Sequence, residues 1–337
     1  LLAWHALAAD GGNHPGAGEV INARRAFGGS GVREFGCSRT AESRSRAGNC
    51  RTLFGRSVVL KSLRVVFMGS PTFAVPSLLR LIRDGHTLAL VVTQPDRPAG
   101  RGQALRPPPI KQAAEQHGLS ILQPEKLTEP HVLTALSAAE PDVIAVAAFG
   151  QFLPRAVREL APLGCVNVHA SLLPKYRGAA PINWALIRGE TETGITIMRV
   201  EEGMDTGAIL LQRAIPIAAE DNAGTLHDRL ADLGASGLSD ALQALARGEA
   251  VWVPQNEAGA TQAPKLRAED CRLELLGDPV AFVNRVRGLS PIPGAYLLRD
   301  GHRIKILLVE RRSNVGSPGV ILGIEDRALV CGTGAVS

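Results

Sequence analysis

From Leu63 onward, apolar residues fall into short runs that alternate with stretches of helical spacing. Leu63–Met68, Leu88–Thr93, Ser120–Gln123, Asp142–Ala147 and Cys165–His169 have the length and composition of strands. Between them, apolar positions recur every three or four residues over Thr72–Arg83, Ile110–His117, His131–Ala139 and Pro154–Leu160, which predicts helices. Pro181–Arg188 predicts a further helix, and Ile195–Val200 and Ile209–Ile217 a pair of strands. Thr225–Arg247 reads as a long amphipathic helix carrying Leu226, Leu230, Leu233, Leu238, Leu242 and Leu245. Strand and helix in alternation predict an α/β fold with a Rossmann-like, doubly wound parallel sheet. Ligands of such sheets sit beyond the carboxyl ends of the strands.

The pattern breaks at Val253–Leu266 into a linker containing Pro, Gly and Gln, and resumes with a helix at Pro279–Arg287. Short strands follow at Ala295–Leu298, Arg303–Val309, Gly319–Ile324 and Ala328–Cys331, which suggests a small β-barrel. The expected organisation is a leader at 1–62, a domain at 63–252, a linker at 253–266 and a barrel at 267–337. The leader lacks Met and clear periodicity and is expected not to pack. It reads either as an Arg- and Ser-rich transit segment or as upstream sequence foreign to the natural protein. The second reading is adopted, with a non-Met start near Val58–Leu60 that intact mass would check.

Composition narrows the class. No apolar run approaches 18 residues, so no membrane span is expected. Cys37, Cys50, Cys165, Cys271 and Cys331 are scattered without C-x-x-C spacing. That argues against a zinc site or a disulfide framework and for a reducing, cytoplasmic compartment. The net charge of +5 invites a nucleic-acid reading, but residues 1–62 hold nine Lys/Arg against four Asp/Glu, and residues 63–337 hold 28 of each. Global charge therefore says little, and local clusters decide.

Candidate chemistry lies at Asn167-Val168-His169, where the fifth strand runs into a Pro/Gly loop. Residues i and i+2 of a strand share a face, so the amide and the imidazole project together. An amide can hold a developing oxyanion, and a ring beside it can move a proton. A lone His of this kind is more often a satisfied structural residue. Its surroundings shift the balance: Leu172-Leu173-Pro174 and Arg177-Gly178-Ala179-Ala180-Pro181 form a stiff irregular loop whose backbone groups no regular element consumes. Asp205, in Gly203-Met204-Asp205-Thr206-Gly207, is expected to reach the ring, orient it and favour its charged form. The first turn, Gly69-Ser70-Pro71-Thr72-Phe73-Ala74, lacks the second glycine of a dinucleotide fingerprint, which excludes an NAD enzyme.

The stretch NVHASLLPKYRGAAP followed by GMDTG resembles the folate-dependent formyltransferase family, most of all its members that act on charged initiator tRNA. The likeness runs from about Leu63 to the C-terminus. It implies Asn167, His169 and Asp205 as catalytic residues, and Ser171, Leu172, Leu173 and Pro174 as a folate-binding loop. It further implies 10-formyltetrahydrofolate as formyl donor, the α-amino group of methionyl-initiator tRNA as acceptor, no metal, and a monomer. The C-terminal region resembles the family's barrel of oligonucleotide-binding type, shortened by its last strands and helix. Gln262, Leu275 and Ile292 depart from the aromatic residues usual at those places. Within the same resemblance, a formyltetrahydrofolate hydrolase or dehydrogenase domain and a glycinamide ribonucleotide formyltransferase are the alternatives. A non-catalytic RNA-binding module is the reading from another class.

One long loop separates these readings. Thr93–Pro109 carries Arg97, Arg101 and Arg106 among Pro and Gly. Loops this long are functional or unstructured, and Arg binds phosphate and stacks on bases. The family resemblance implies that this insertion reaches the tRNA acceptor end, with Arg101 foremost, then Arg97.

Overall fold

A computed structural model describes residues 62–99, 104–309, 321–325 and 328–331. The expectations for residues 1–61, for Arg101 and for the start of the strand at Gly319 lie outside the described residues. The chain order is β1 (Arg64–Gly69), α1 (Val75–Arg83), β2 (Thr87–Val92), β3 (Arg97–Ala99), β4 (Ala104–Arg106), α2 (Pro109–Gln116), β5 (Ile121–Leu122), α3 (Pro130–Ala138), β6 (Val143–Ala147) and α4 (Arg155–Arg158). There follow β7 (Cys165–His169), α5 (Pro181–Ile187), β8 (Glu192–Arg199), β9 (Ile209–Pro216), α6 (Ala223–Arg247), α7 (Pro279–Leu289), β10 (Ala295–Arg299), β11 (His302–Ile306), β12 (Ile321–Glu325) and β13 (Ala328–Cys331).

Seven strands form one sheet in the order β5-β2-β1-β6-β7-β8-β9. It is parallel from β5 to β7, and β8 and β9 run antiparallel at the edge. The expected doubly wound sheet is thus present but mixed. No helix-length crossover returns the chain after β8, because the short loop at 200–208 leads directly into the antiparallel partner β9. Helices cover both faces. On one, Leu78 and Leu81 of α1, Ile110 of α2, and Leu226, Leu230, Leu238 and Leu242 of α6 pack with Val65, Phe67, Val166 and Val168. On the other, Val132 and Leu136 of α3 and Val157 of α4 pack with Val66, Met68, Ile144 and Val146. The even and odd positions of β1 and β6 divide between these layers, which is why both strands read as unbroken apolar runs.

The long helix α6 starts two residues earlier than its apolar spacing indicates, because Asn222 caps it. The Asn222 side chain accepts from the Gly224 and Thr225 N–H groups, and Thr225 Oγ1 accepts from the Asn222 N–H. Beyond Leu266 a small core gathers Cys271, Leu273, Val286, Leu289, Ala295 and Leu297. It docks on the first domain through α5, where the Asn183 side chain donates to the Gly288 carbonyl at 2.7 Å. Among the described residues, the C-terminal strands form two separate ladders, β10–β11 and β12–β13.

Candidate active site

Strand β7 shows how the fold makes a site. Val166 and Val168 belong to the α1/α6 core and Cys165 to the opposite one. Asn167 and His169 share the face of Cys165, and there the apolar filling gives way to a cavity of about 380 Å³. Its walls include Ala148, Phe149 and Phe152 after β6, and Val200, Met204 and Asp205 after β8. The amide of Asn167 has no hydrogen-bond partner among the described residues and lines this cavity. A merely structural Asn at a half-buried strand end is normally bonded.

His169 is 5% exposed. Its Nε2 lies 2.9 Å from the Tyr176 carbonyl oxygen. A carbonyl only accepts, so Nε2 carries the hydrogen and Nδ1 is the nitrogen left to exchange a proton. Nδ1 faces Asp205 Oδ2 at 3.6 Å. The same Oδ2 accepts the Gly178 N–H at 2.9 Å. Asp205 has φ +53°, a left-handed conformation that an ordinary residue keeps only when its surroundings enforce it. Asn167, His169 and Asp205, spread over 39 positions of sequence, thus border one cavity.

Gly178 is there for two reasons. Its φ is +122°, and a Cβ would stand 2.7 Å from the Ala263 carbonyl oxygen. Residues 261–263 run beside 176–180: Arg177 N–H donates to Thr261, Ala263 N–H to Arg177 and Ala180 N–H to Ala263. The segment expected to be a linker is therefore part of the site's framework. Arg177 is buried, and its guanidinium bonds Gln255 Oε1 and the Glu257 carboxylate. The bond from Arg177 holds the Glu257 carboxyl below its ordinary range. Gln255, Glu257 and Thr261 escaped the sequence reading, since a Pro/Gly/Gln stretch without periodicity gives no sign of what it packs against.

The loop Ser171-Leu172-Leu173-Pro174 is placed differently from expectation. It does not line the cavity, and Ser171 and Leu173 are buried. Its carbonyls and the Leu173 N–H are already bonded within the protein. Thr196 Oγ1 donates to the Ser171 carbonyl and accepts from the Leu173 N–H, and Gln212 donates to the Leu173 carbonyl. The loop does avoid regular structure, but Thr196 of β8 and Gln212 of β9 take three of the backbone groups it frees.

The Thr93–Pro109 loop is also more regular than expected. Arg97–Ala99 and Ala104–Arg106 pair as an antiparallel hairpin, with Arg97 directly opposite Arg106. Arg97 reaches Glu125 at 2.7 Å, both exposed. At its foot, Gln94 donates through its side chain to the Phe149 carbonyl on the cavity wall, and Gln123 and Lys111 hold Asp96. The hairpin is therefore rooted at the rim of the cavity. Among the described residues, no group of three or more His, Cys, Asp or Glu is placed to hold a metal, and no helix is long and apolar enough to cross a membrane.

Comparison with known proteins identifies the family. Residues 63–242 match the formyl transferase family and residues 265–337 its C-terminal domain. The chain is 47% identical over 279 residues to a methionyl-tRNA formyltransferase of Citrifermentans bemidjiense, covering 82% of this chain and 88% of the relative. It is 48% identical over 272 residues to a methionyl-tRNA formyltransferase of Syntrophus aciditrophicus, covering 80% and 87%. In fold it is similar to HypX of Aquifex aeolicus, whose structure was solved with tetrahydrofolic acid. That match has a TM-score of 0.59 at 18% identity and covers 80% of this chain but 42% of HypX. A sugar N-formyltransferase of a Shewanella species matches with a TM-score of 0.56 at 20% identity, over 74% and 98% of the two chains. This chain belongs to the formyl transferase family.

Proposed function

We propose that this protein is a methionyl-tRNA formyltransferase, moving a formyl group from 10-formyltetrahydrofolate to the α-amino group of methionine on initiator tRNA for translation initiation. The observation that carries the reading is the free Asn167 amide beside the His169–Asp205 pair, all three bordering one cavity. The high identity to relatives of that name over most of their length supports the choice of acceptor.

The cavity suits a flat heterocycle: it is walled by Phe149, Phe152, Val200 and Met204, with backbone groups between them. Bound there, 10-formyltetrahydrofolate supplies an activated formyl carbon for the acceptor amine. The amine must be neutral to attack, which an α-amino pKa of about 7.7–8.0 permits. Asn167 donates a hydrogen bond to the formyl oxygen as negative charge builds on it. His169 keeps Nε2 on Tyr176 and works through Nδ1, the nitrogen it shares with Asp205. A proton on Nδ1 gives the site a positive charge next to that oxygen and a source for the departing nitrogen. Asp205 holds the charged ring and can take the proton that the acceptor nitrogen gives up once it has bonded to the formyl carbon and become cationic. Ser171–Pro174 lie on the chain between His169 and Tyr176, whose carbonyl holds the ring.

The hairpin gives the acceptor its handle. Like charges directly opposite on paired strands are unfavourable, and an anion between them relieves the cost. Arg97 opposite Arg106 is such a pair, exposed, on a hairpin whose foot bonds Phe149 of the cavity wall through Gln94. Phosphates of the acceptor end would sit there, with Arg101 in the sequence between the two strands as a further contact.

The test is transfer of labelled formyl from 10-formyltetrahydrofolate to methionyl-tRNA. The expected result is turnover by the native protein and a loss of about 10²–10⁴ in kcat for His169→Ala. Formate release that is indifferent to tRNA would replace the proposal with a formyltetrahydrofolate hydrolase.

A further inference from the structure

We infer that Gln255, in the segment between the two family domains, is a positioning residue for Asp205. The inference rests on the reading of Asp205 above and extends it to a residue 50 positions away. Gln255 lines up both ends of its amide with the site. Its Nε2 donates to the Asp205 carbonyl and the Gly207 carbonyl, each at 2.8 Å. Its Oε1 accepts from Arg177 Nε at 3.0 Å and Nη2 at 2.8 Å. The residue following Arg177 is Gly178, whose N–H holds the Asp205 carboxylate at 2.9 Å.

These contacts close a ring. Asp205 is gripped at its carboxylate by Gly178 and at its backbone by Gln255, and the two grips are joined through Arg177. A carboxylate held at one end only could swing. Held at both, it keeps the left-handed backbone at φ +53° and the 3.6 Å approach to His169. The direction of the amide is dictated by its neighbours. Two carbonyls on one side demand N–H donors, and a guanidinium on the other demands an acceptor. No other side chain of similar length satisfies both. Glutamate pleases Arg177 but sets a negative oxygen against two carbonyls. Leucine fits the volume and bonds neither.

Arg177 is 4% exposed, with its charge met by Glu257 as well as Gln255. Gln255→Glu therefore keeps the buried guanidinium paired and spares the fold, while it pushes the Asp205 turn away. That makes it the informative variant.

The experiment measures kcat, KM and thermal midpoint of the full chain for Gln255→Glu and Gln255→Leu, alone and combined with Asp205→Asn. A carboxylate misplaced by a fraction of an ångström lowers rate by roughly tenfold to a hundredfold. The expected result is that loss in kcat for Gln255→Glu, with tetrahydrofolate affinity within about twofold of native. Residues that act as one unit are non-additive. Adding Gln255→Glu to Asp205→Asn should therefore cost less than about twofold more. Multiplying losses, or native kcat in Gln255→Glu, would overturn the inference. Native kcat in Asp205→Asn alone would instead sink the reading of Asp205 on which it stands.

Discussion

The carboxyl end of β7 and the β3–β4 hairpin are both loop-flanked regions at the edge of one cavity, yet they are built in opposite ways. Around β7, His169 and Arg177 are buried and doubly held: His169 between Tyr176 and Asp205, Arg177 between Gln255 and Glu257. On the hairpin they are exposed, and Arg97 is met by a solvated Glu125. The first region has the rigidity that bond-making needs, because electrostatic stabilisation works only from fixed donors. The second carries exposed cations of the kind a large polyanion needs, because counterion release, not fixed geometry, supplies most of its affinity. On the proposed reading, rate and acceptor choice rest on a buried region and an exposed one of the same domain.

That contrast can be broken in graded steps. Asn167→Ala should cost about 10²–10³ in kcat with tetrahydrofolate affinity little changed, read in steady-state and equilibrium binding assays. An equal loss in folate affinity would move Asn167 from chemistry to binding. Arg101→Ala should cost roughly tenfold to a hundredfold in kcat/KM for charged tRNA, the worth of a hydrogen bond to a charged group. It should also lower the salt dependence of kcat/KM by about one phosphate's share, and leave folate binding unchanged. Unchanged kinetics with tRNA would remove Arg101 from the acceptor site. Arg97→Ala should have the smallest effect, a few-fold in KM for tRNA. Glu125 already competes for that guanidinium, and exposed pairs are worth less than about 1 kcal/mol. Thermal unfolding of Arg97→Ala should match the native protein closely.

The sheet core and the trio were the parts legible in the sequence. The buried strands announced themselves as apolar runs, and Asn167 and His169 followed from the two-residue period of a strand. Asp205 was found through the GMDTG resemblance and its Gly-flanked turn. What escaped was long-range and polar. Nothing local tells that Thr196 and Gln212 will take the backbone groups of Ser171–Leu173, since those partners lie 23 and 39 residues away. Nothing local gives Gln255 its task either, because an amide in an aperiodic stretch looks the same whether it faces water or Asp205. The hairpin was hidden by its Pro and Gly content, which suppresses strand signals even where two short strands pair.

The antiparallel turn of β8 gives the trio an unusual mounting. Because Val166 pairs with Arg199 and His169 with Thr196, the chain leaving β8 departs beside the beginning of β7, not its end. Residues 200–205 must then travel back along the sheet to bring Asp205 to His169. The ring and its carboxylate are anchored at opposite ends of the same two strands. Any slip of β8 along β7 would be transmitted to the gap between them, so the register of this strand, held between β7 and the edge strand β9, is expected to bear on turnover. Substitutions on β8 and β9 that leave every active-site side chain in place can silence the enzyme by this route alone.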